Sequence, residues 1–315
     1  MISHNALWSA VCVAALCVSG CGGDGGMATD AESAAPPIPA HASANVALTS
    51  ANVPAIAANA QGTTILLRGW LVDLPPWIAQ VSPAMRLAST GCGAISDPGS
   101  LVVSYLDNDQ DGRTSAGDQI TIVSAGTCDL DAFADGTTTL TVLKAANGAI
   151  VDEQVLAAST LDDNAMGRYD WSDRLLGRFR ITTLPGGQVQ VLGIGDVRMT
   201  FADGRVQLLR NLAIVVDEQG GYYHDMAHVQ FDLVFLAGNL AGAQVQVDSE
   251  GMLAAEGSNT PPYPGTVLIS GNGATRAQVG ADNAGHFITS IDLGDGHFIA
   301  GAATDDFAFY AAAQQ

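Results

Sequence analysis

An alternation of apolar and polar residues with a period of two runs through most of the chain after residue 100. Leu101–Leu106 and Gln119–Val123 are the clearest examples. Side chains of a strand point alternately to opposite faces, so this pattern predicts strands. Dipeptides typical of hairpin turns, such as Asp203-Gly204, separate the segments. No helical stretch of about ten residues interrupts 175–300, which excludes parallel crossover units there and leaves antiparallel pairing.

The sequence therefore predicts an all-β fold, an antiparallel meander that forms a curved sheet or a partial barrel or sandwich. Its 36 glycines and its aromatic content of 6% fit many turns and short strands. One or two short helices are expected before the strands. Residues 48–60 predict one, capped by Thr49 or Ser50. Residues 63–74 predict an amphipathic helix that Pro75-Pro76 would stop, with a buried strand as the alternative.

The charge balance restricts the partners. The chain has 32 acidic and 12 basic residues and a formal net charge of −20. Such a surface repels phosphate backbones, which argues against nucleic-acid binding. Divalent cations are the more natural partners of an acidic protein.

The N-terminus has the pattern of an export signal. Residues 6–19 form an apolar run that is too short to span a bilayer, and Val18-Ser19-Gly20-Cys21 follows. This resembles the lipobox of bacterial lipoproteins, although Met1–Asn5 lacks the usual basic residue. The resemblance implies acylation of Cys21, a membrane partner held through the lipid and a place in the bacterial cell envelope. Gly22 favours the outer membrane over the inner one.

The composition then divides the chain into four segments. Residues 1–20 are the predicted lipoprotein signal peptide. Residues 21–45 are rich in Gly, Ala, Pro and Ser and predict a flexible tether. Residues 46–90 form a helical, apolar segment expected to pack on the sheet. Residues 91–315 form the β body.

The sharpest chemical signal lies at 107–118. Carboxylates recur at relative positions 1, 3 and 5, glycine at position 6 allows a sharp bend, and position 12 is again acidic. The loop resembles those of EF-hands, and more closely those of dockerins, whose twelfth residue is Asp. It predicts a structural calcium ion between two strands; the alternative is an acidic turn without metal. The predicted ligands are Asp107, Asp109, Asp111, the carbonyl of Arg113, Ser115 and Asp118.

Cysteines flank this loop. Cys92 and Cys128 are the only two in the body of the chain, and an exported protein would pair them in a disulfide. Two buried thiols are the alternative. The block from Cys92 through the acidic loop to Cys128, together with the signal peptide, resembles a group of proteobacterial lipoproteins. That resemblance does not imply any known activity.

No nucleophile elbow, P-loop or dinucleotide fingerprint occurs in the sequence. Asp292–Gly296 is interpreted as a hairpin turn and not as a second ion site. The leading hypothesis is a non-enzymatic lipoprotein that binds a protein or polymer or stabilises the envelope. A secreted hydrolase acting on an envelope or extracellular polymer is one alternative. A carrier of an apolar ligand is the other.

Overall fold

The computed structural model describes residues 36–78, 87–91, 100–125, 135–147, 149–162, 172–201, 203–218, 224–250, 265–281 and 286–314. Cys21, Cys92 and Cys128 lie outside these residues, so the predicted lipidation and disulfide remain predictions. Two helices and fifteen strands make up most of the described chain. The strands are β1 Leu87–Gly91, β2 Ser100–Leu106, β3 Gln119–Ala125, β4 Asp135–Ala146, β5 Ala149–Asp162, β6 Ser172–Thr183, β7 Val189–Gly193, β8 Val197–Thr200, β9 Val206–Glu218, β10 His224–Ala237, β11 Gln244–Glu250, β12 Thr266–Ser270, β13 Arg276–Ala281, β14 Phe287–Asp292 and β15 Ile299–Thr304.

All fifteen strands belong to one antiparallel sheet, which confirms the all-β prediction. Each strand pairs with its neighbours in the sequence, except at one place. Both β7 and β8 pair with β6 on one side and with β9 on the other. They act as the two halves of one strand that is interrupted near Gly195, whose φ of 76° suits glycine. Strand β1 overlaps the end of the predicted helical segment 46–90, so the sheet begins earlier than the sequence indicated.

The core lies on one face of the sheet. Inward side chains along β3, β4, β6 and β10 include Ile120, Leu140, Phe179 and Phe231, each with 0% exposure. Full burial of such a side chain contributes about 1.5–3 kcal/mol to stability. The alternation that predicted these strands is therefore the alternation between core and outer face.

One long helix, α1 Val53–Ile78, is found where one or two short helices were expected. Its start agrees with the predicted cap, because Thr49 Oγ1 accepts from the Asn52 N–H and Asn52 Oδ1 accepts from the Thr49 N–H. The prediction of a break near residue 61 is wrong, and the helix continues through the buried Gly62. The prediction that Pro75-Pro76 would stop it is also wrong. Both prolines lie in the last turn, where each removes only its own backbone donor, and the helix ends two residues after them.

Burial explains why α1 tolerates Gly62. Residues 55–64 are all buried, so this part of the helix is enclosed around its circumference. The amphipathic prediction concerned 63–74, and most of those side chains lie outside the described ones. It contacts β10, β12, β13, β14 and the C-terminal helices. Packing of this kind outweighs the cost of about 1 kcal/mol for a helical glycine. No described helix is both long and apolar enough to cross a membrane.

The enclosed helix carries polar side chains, and these have partners. Asn59 donates to the Ala55 and Ala313 carbonyls, at 2.8 and 3.2 Å. Its Oδ1 accepts from Gln207 and from the Arg205 guanidinium. Thr63 donates to Gln207 Oε1 at 3.2 Å. Buried polar groups of this kind fix the helix in one rotation against β9, because any other would leave them unpaired.

The C-terminus forms a second helix, α2 Asp306–Ala311, and a 3₁₀ turn, Ala312–Gln314, neither of which the sequence predicted. Asp305 caps α2 by accepting from the Ala308 N–H at 2.8 Å. Phe309 stacks on Phe287 of β14, with ring centroids 4.3 Å apart. A helix of six residues is too short to give a clear periodic signal in the sequence.

Part of the predicted tether is fixed to the sheet. The Asn45 N–H donates to the Gln244 carbonyl and Asn45 Oδ1 accepts from the Gln244 N–H, at 3.1 and 2.7 Å. The Ala42 carbonyl accepts from Gln246. The prediction of a flexible tether is therefore wrong for residues 39–45, and we call this segment with residues 46–48 the strap.

Candidate metal centre

The acidic loop joins β2 to β3, between strands, as the sequence predicted. Gly112, at the predicted position of the bend, has a φ of 75°, which glycine adopts without strain. Gly117 has a φ of 99° and its N–H donates to the Val142 carbonyl at 2.8 Å. These conformations fold the loop back toward β4.

Three of the predicted ligands converge. Asp107, Asp109 and Asp118 each present a carboxylate oxygen, and these oxygens lie within 4.8 Å of one another. Positions 1, 3 and 12 of the loop thus meet although they are far apart in the sequence. Hard divalent cations select such groups of carboxylate oxygens.

Asp118 is the buried centre of the loop, with 0% exposure. Its Oδ1 accepts from the Asn108 N–H at 3.0 Å. Its Oδ2 accepts from the Ser115 N–H and from the Tyr105 hydroxyl, both at 2.8 Å. Burial, and then the contact with the Asp118 carboxylate, raises the pKa of Tyr105 to about 12, which outweighs a bond to Thr114 that lowers it. Tyr105 is therefore a neutral donor.

The remaining predicted ligands surround this trio. Asp109 Oδ2 accepts from the Ser115 hydroxyl at 2.9 Å, and this bond holds the pKa of Asp109 below its usual value. Asp111 is not part of the converging group; its Oδ1 accepts from the Arg113 N–H at 2.6 Å. The structure thus joins Ser115 to the cluster through Asp109 and leaves Asp111 at the rim.

One carboxylate oxygen in the cluster has no partner. Asp107 Oδ2 accepts from the Gly112 N–H at 2.9 Å, whereas Oδ1 is buried and has no hydrogen-bond partner in the described structure. A buried oxygen without a partner costs about 1–3 kcal/mol. The loop also contains four aspartates and one basic residue, Arg113. The donor set and its unbalanced charge therefore fit a bound cation.

A second charged constellation involves His41 of the strap, which sequence analysis assigned to the tether. Its Nδ1 donates to Asp232 Oδ1 at 2.6 Å, and its Nε2 lies 3.1 Å from both Asp248 oxygens. Burial lowers the pKa of His41, but the two aspartates outweigh it and raise the pKa to about 9. His41 is therefore an imidazolium with both nitrogens engaged, which prevents it from acting as a general base.

Asp232 completes that constellation. It has 0% exposure, and its Oδ2 accepts from the Ala42 N–H and from Asn211, at 2.8 and 2.7 Å. Burial acts to raise the pKa of Asp232, but the hydrogen bonds from His41, Ala42 and Asn211 lower it overall. The one cue in the sequence is that His41 is the only titratable residue between Glu32 and Arg68, and this cue does not identify its partners.

Glu153 bears on the hydrolase alternative. Burial, and then the nearby Asp152, raises the pKa of Glu153 to about 8. Adjacent residues of a strand point to opposite faces, so Glu153 and Asp152 do not face each other. Asp152 instead binds Arg180, with 2.5 Å between Oδ2 and the guanidinium. These two acids do not form the facing pair that glycoside hydrolysis requires.

Comparison with known proteins gives no relative from which to transfer a function. No protein-family profile, curated protein or solved structure matches this chain.

Proposed function

We propose that this chain is an exported envelope lipoprotein with a non-enzymatic binding or structural role, and that calcium bound at 107–118 stabilises its β body. The lipobox ending at Cys21 supports the anchor, and the net charge of −20 suits a surface that meets divalent cations. Calcium is abundant outside the cytoplasm, where weak structural sites of this kind are filled at about 10⁻³ M.

The observation that carries the calcium proposal is the buried Asp107 Oδ1 without a hydrogen-bond partner, inside a group of three converging carboxylates. A bound cation would give this oxygen a partner and would also neutralise the negative charge of the neighbouring carboxylates. Asp107, Asp109 and Asp118 would hold it, with Asp111, the Arg113 carbonyl and Ser115 available at the rim. Calcium accepts irregular sets of six to eight oxygens, whereas magnesium requires a near-ideal octahedron.

The hydrogen bonds of Asp118 support a structural role for the ion. The side chain ties the start of the loop at Asn108 to its end, and its backbone pairs with Val142 of β4 through a bond of 2.9 Å. An ion at this point would hold three strands together. The loop has no helix pair that could open on binding, so a sensor role does not follow.

Thermal unfolding of the full chain tests the calcium proposal. We expect millimolar calcium to raise the unfolding temperature relative to chelator, because a ligand bound only by the folded state stabilises it. Asp107→Asn should abolish the shift, and Asp295→Asn, in an exposed turn, should preserve it. Equal unfolding temperatures of the wild-type chain with calcium and with chelator would refute the ion.

Labelling with a radioactive fatty acid tests the anchor separately. We expect label on the wild-type chain and recovery of that chain with membranes. Cys21→Ser should lose both, while Cys92→Ser serves as the matched control. Failure of this experiment would remove the anchor and leave the calcium result untouched.

A further inference from the structure

One outer face of the sheet differs in charge from the rest of this acidic chain. We define the arginine face as the outward side chains of β3 to β6 and of β8. Several outward residues of β3, β4 and β5 along this face, such as Thr121, Thr139 and Leu156, are uncharged. Among the described side chains of the face the one carboxylate is Asp152, and Arg180 neutralises it. In a chain of net charge −20, so few carboxylates among the described side chains of one face is unexpected.

Three arginines surround an exposed leucine at the centre of this face. Arg174 and Arg178 flank Leu176 on β6, two residues away on either side, and point outward with it. Arg198 of β8 is the direct cross-strand partner of Leu176. All three arginines are exposed, and Leu176 is 52% exposed.

These guanidinium groups have no ion pair within the described structure, in contrast to their neighbours. Arg210 of β9 binds Asp196 through two contacts of 3.0 and 3.1 Å. Arg180 binds Asp152 in the same bidentate way. Among the described residues no carboxylate pairs with Arg174, Arg178 or Arg198, and arginine binds phosphate oxygens in this forked geometry.

We propose that the arginine face lies against a lipid bilayer whose headgroups carry anionic phosphates. The choice of a membrane rests on the proposed lipid anchor, which would hold the chain close to such a surface. The arginines bind phosphates, and Leu176 and Leu156 enter the interfacial layer between them.

The exposed leucines favour a bilayer over a small soluble anion. Leu156 is 44% exposed and lies directly opposite Arg178 across the β5–β6 pair. A soluble phosphate would gain nothing from apolar side chains between its ligands. Charge repulsion does not prevent contact, because the Debye length is about 8 Å at physiological salt and the distant carboxylates are screened.

Vesicle co-sedimentation of the full chain carrying Cys21→Ser tests this proposal without the anchor. Residues 1–35 contain no Lys or Arg, so binding through them does not distinguish anionic from neutral lipid. We expect stronger binding to phosphatidylglycerol vesicles than to phosphatidylcholine vesicles. An acidic chain without the arginine face would show the opposite preference.

Variants identify the face. Each of Arg174→Gln, Arg178→Gln and Arg198→Gln should weaken anionic-vesicle binding about fivefold, and the triple variant roughly 100-fold. Arg210→Gln is the matched control, since it removes the same charge from a paired neighbour. Urea unfolding verifies that the variants fold. The absence of a preference for anionic vesicles, or equal losses in Arg178→Gln and Arg210→Gln, would overturn the proposal and leave the anchor open.

Two further arms distinguish the bilayer from other occupants. Leu156→Gln with Leu176→Gln should weaken vesicle binding roughly tenfold. Retention of full binding by this pair, with competition by glycerol phosphate, would indicate a soluble phosphate and contradict the proposal. Self-association of the chain without vesicles, lost in the triple arginine variant, would contradict it as well.

Discussion

The acidic loop at 107–118 and the turn after Asp292 are both hairpin connections built around a buried aspartate. Only in the turn does an arginine side chain of the protein, Arg276, bind that aspartate. Asp292 Oδ1 accepts from the Gly294 and Gly296 N–H groups, at 2.8 and 3.0 Å. Its Oδ2 binds the Arg276 guanidinium at 2.8 Å. The hydrogen bond from that guanidinium lowers the pKa of Asp292 to about 2. Burial acts in the opposite direction but is the weaker effect.

In the loop, Asp118 accepts the same kind of backbone donors, but three carboxylates converge and no described arginine or lysine binds them. The comparison shows that an acidic turn needs no metal when the sheet supplies an arginine beside it. The His41 constellation is a third solution, in which the strap supplies a cation that titrates. We therefore expect the loop alone to depend on added calcium.

The largest effect is expected at Asp118. Asp118→Ala removes the acceptor of the Tyr105 hydroxyl and of two backbone N–H groups, and should lower the free energy of unfolding by about 3–5 kcal/mol. Urea unfolding measures this. Asp295→Ala, in the exposed turn, should change it by less than about 0.5 kcal/mol. A loss below about 1 kcal/mol for Asp118→Ala would show that the loop does not depend on its buried centre.

The next effect concerns the titrating cation of the strap. His41→Gln should lower the free energy of unfolding by about 2 kcal/mol at neutral pH, after allowance for solvent screening. Its pKa is about 9 in the folded chain and 6.5 when unperturbed. The contribution is therefore complete below about pH 6.5 and lost as the pH rises through about 9.

The acid limit follows from Asp232, whose pKa is lowered. Its contribution is present above the unperturbed value of 3.8 and is lost as the pH falls through the lowered value. Urea unfolding across this range tests both limits, with Asn45→Ala as a strap variant that keeps them. An unchanged pH profile in His41→Gln would exclude the ion pair.

A smaller and more diagnostic effect is expected at Asp107. In chelator, Asp107→Asn should change the free energy of unfolding by less than about 1 kcal/mol, because it relieves repulsion between like charges. In millimolar calcium, Asp107→Asn should be less stable than the wild type, because only the wild type is stabilised by bound calcium. Thermal unfolding in the two buffers measures this reversal. Equal destabilisation of Asp107→Asn in chelator and in calcium would indicate that Asp107 supports the fold and does not bind calcium.

The smallest effect is expected in the turn after Asp292, where Arg276 binds the aspartate. Arg276→Gln should move the pKa of Asp292 from about 2 toward the usual 3.8, because the guanidinium is the first cause of its lowering. The calcium response should not change. Carboxyl NMR titration follows Asp292. A pKa that stays near 2 would show that the backbone donors alone hold the charge, and would weaken the comparison.

The sequence predicted what depends on short-range pattern. Alternation indicated the strands, and the spacing of Asp107, Asp109 and Asp118 indicated that they converge. It did not predict that residues 55–64 of α1 are enclosed, because burial of Gly62 depends on strands that follow much later. His41 was missed for the same reason, since its partners Asp232 and Asp248 are 191 and 207 residues away. Sequence spacing contains no information on contacts at that separation.

Calorimetric titration of the chelator-stripped full chain with calcium tests the central claim most directly. We predict one binding event per chain, with an affinity on the order of 10⁻⁴–10⁻³ M, lost in Asp107→Asn and kept in Asp295→Asn. Absence of heat from the wild-type chain up to millimolar calcium, or equal heat from the wild type and Asp107→Asn, would contradict the claim that a cation completes the loop.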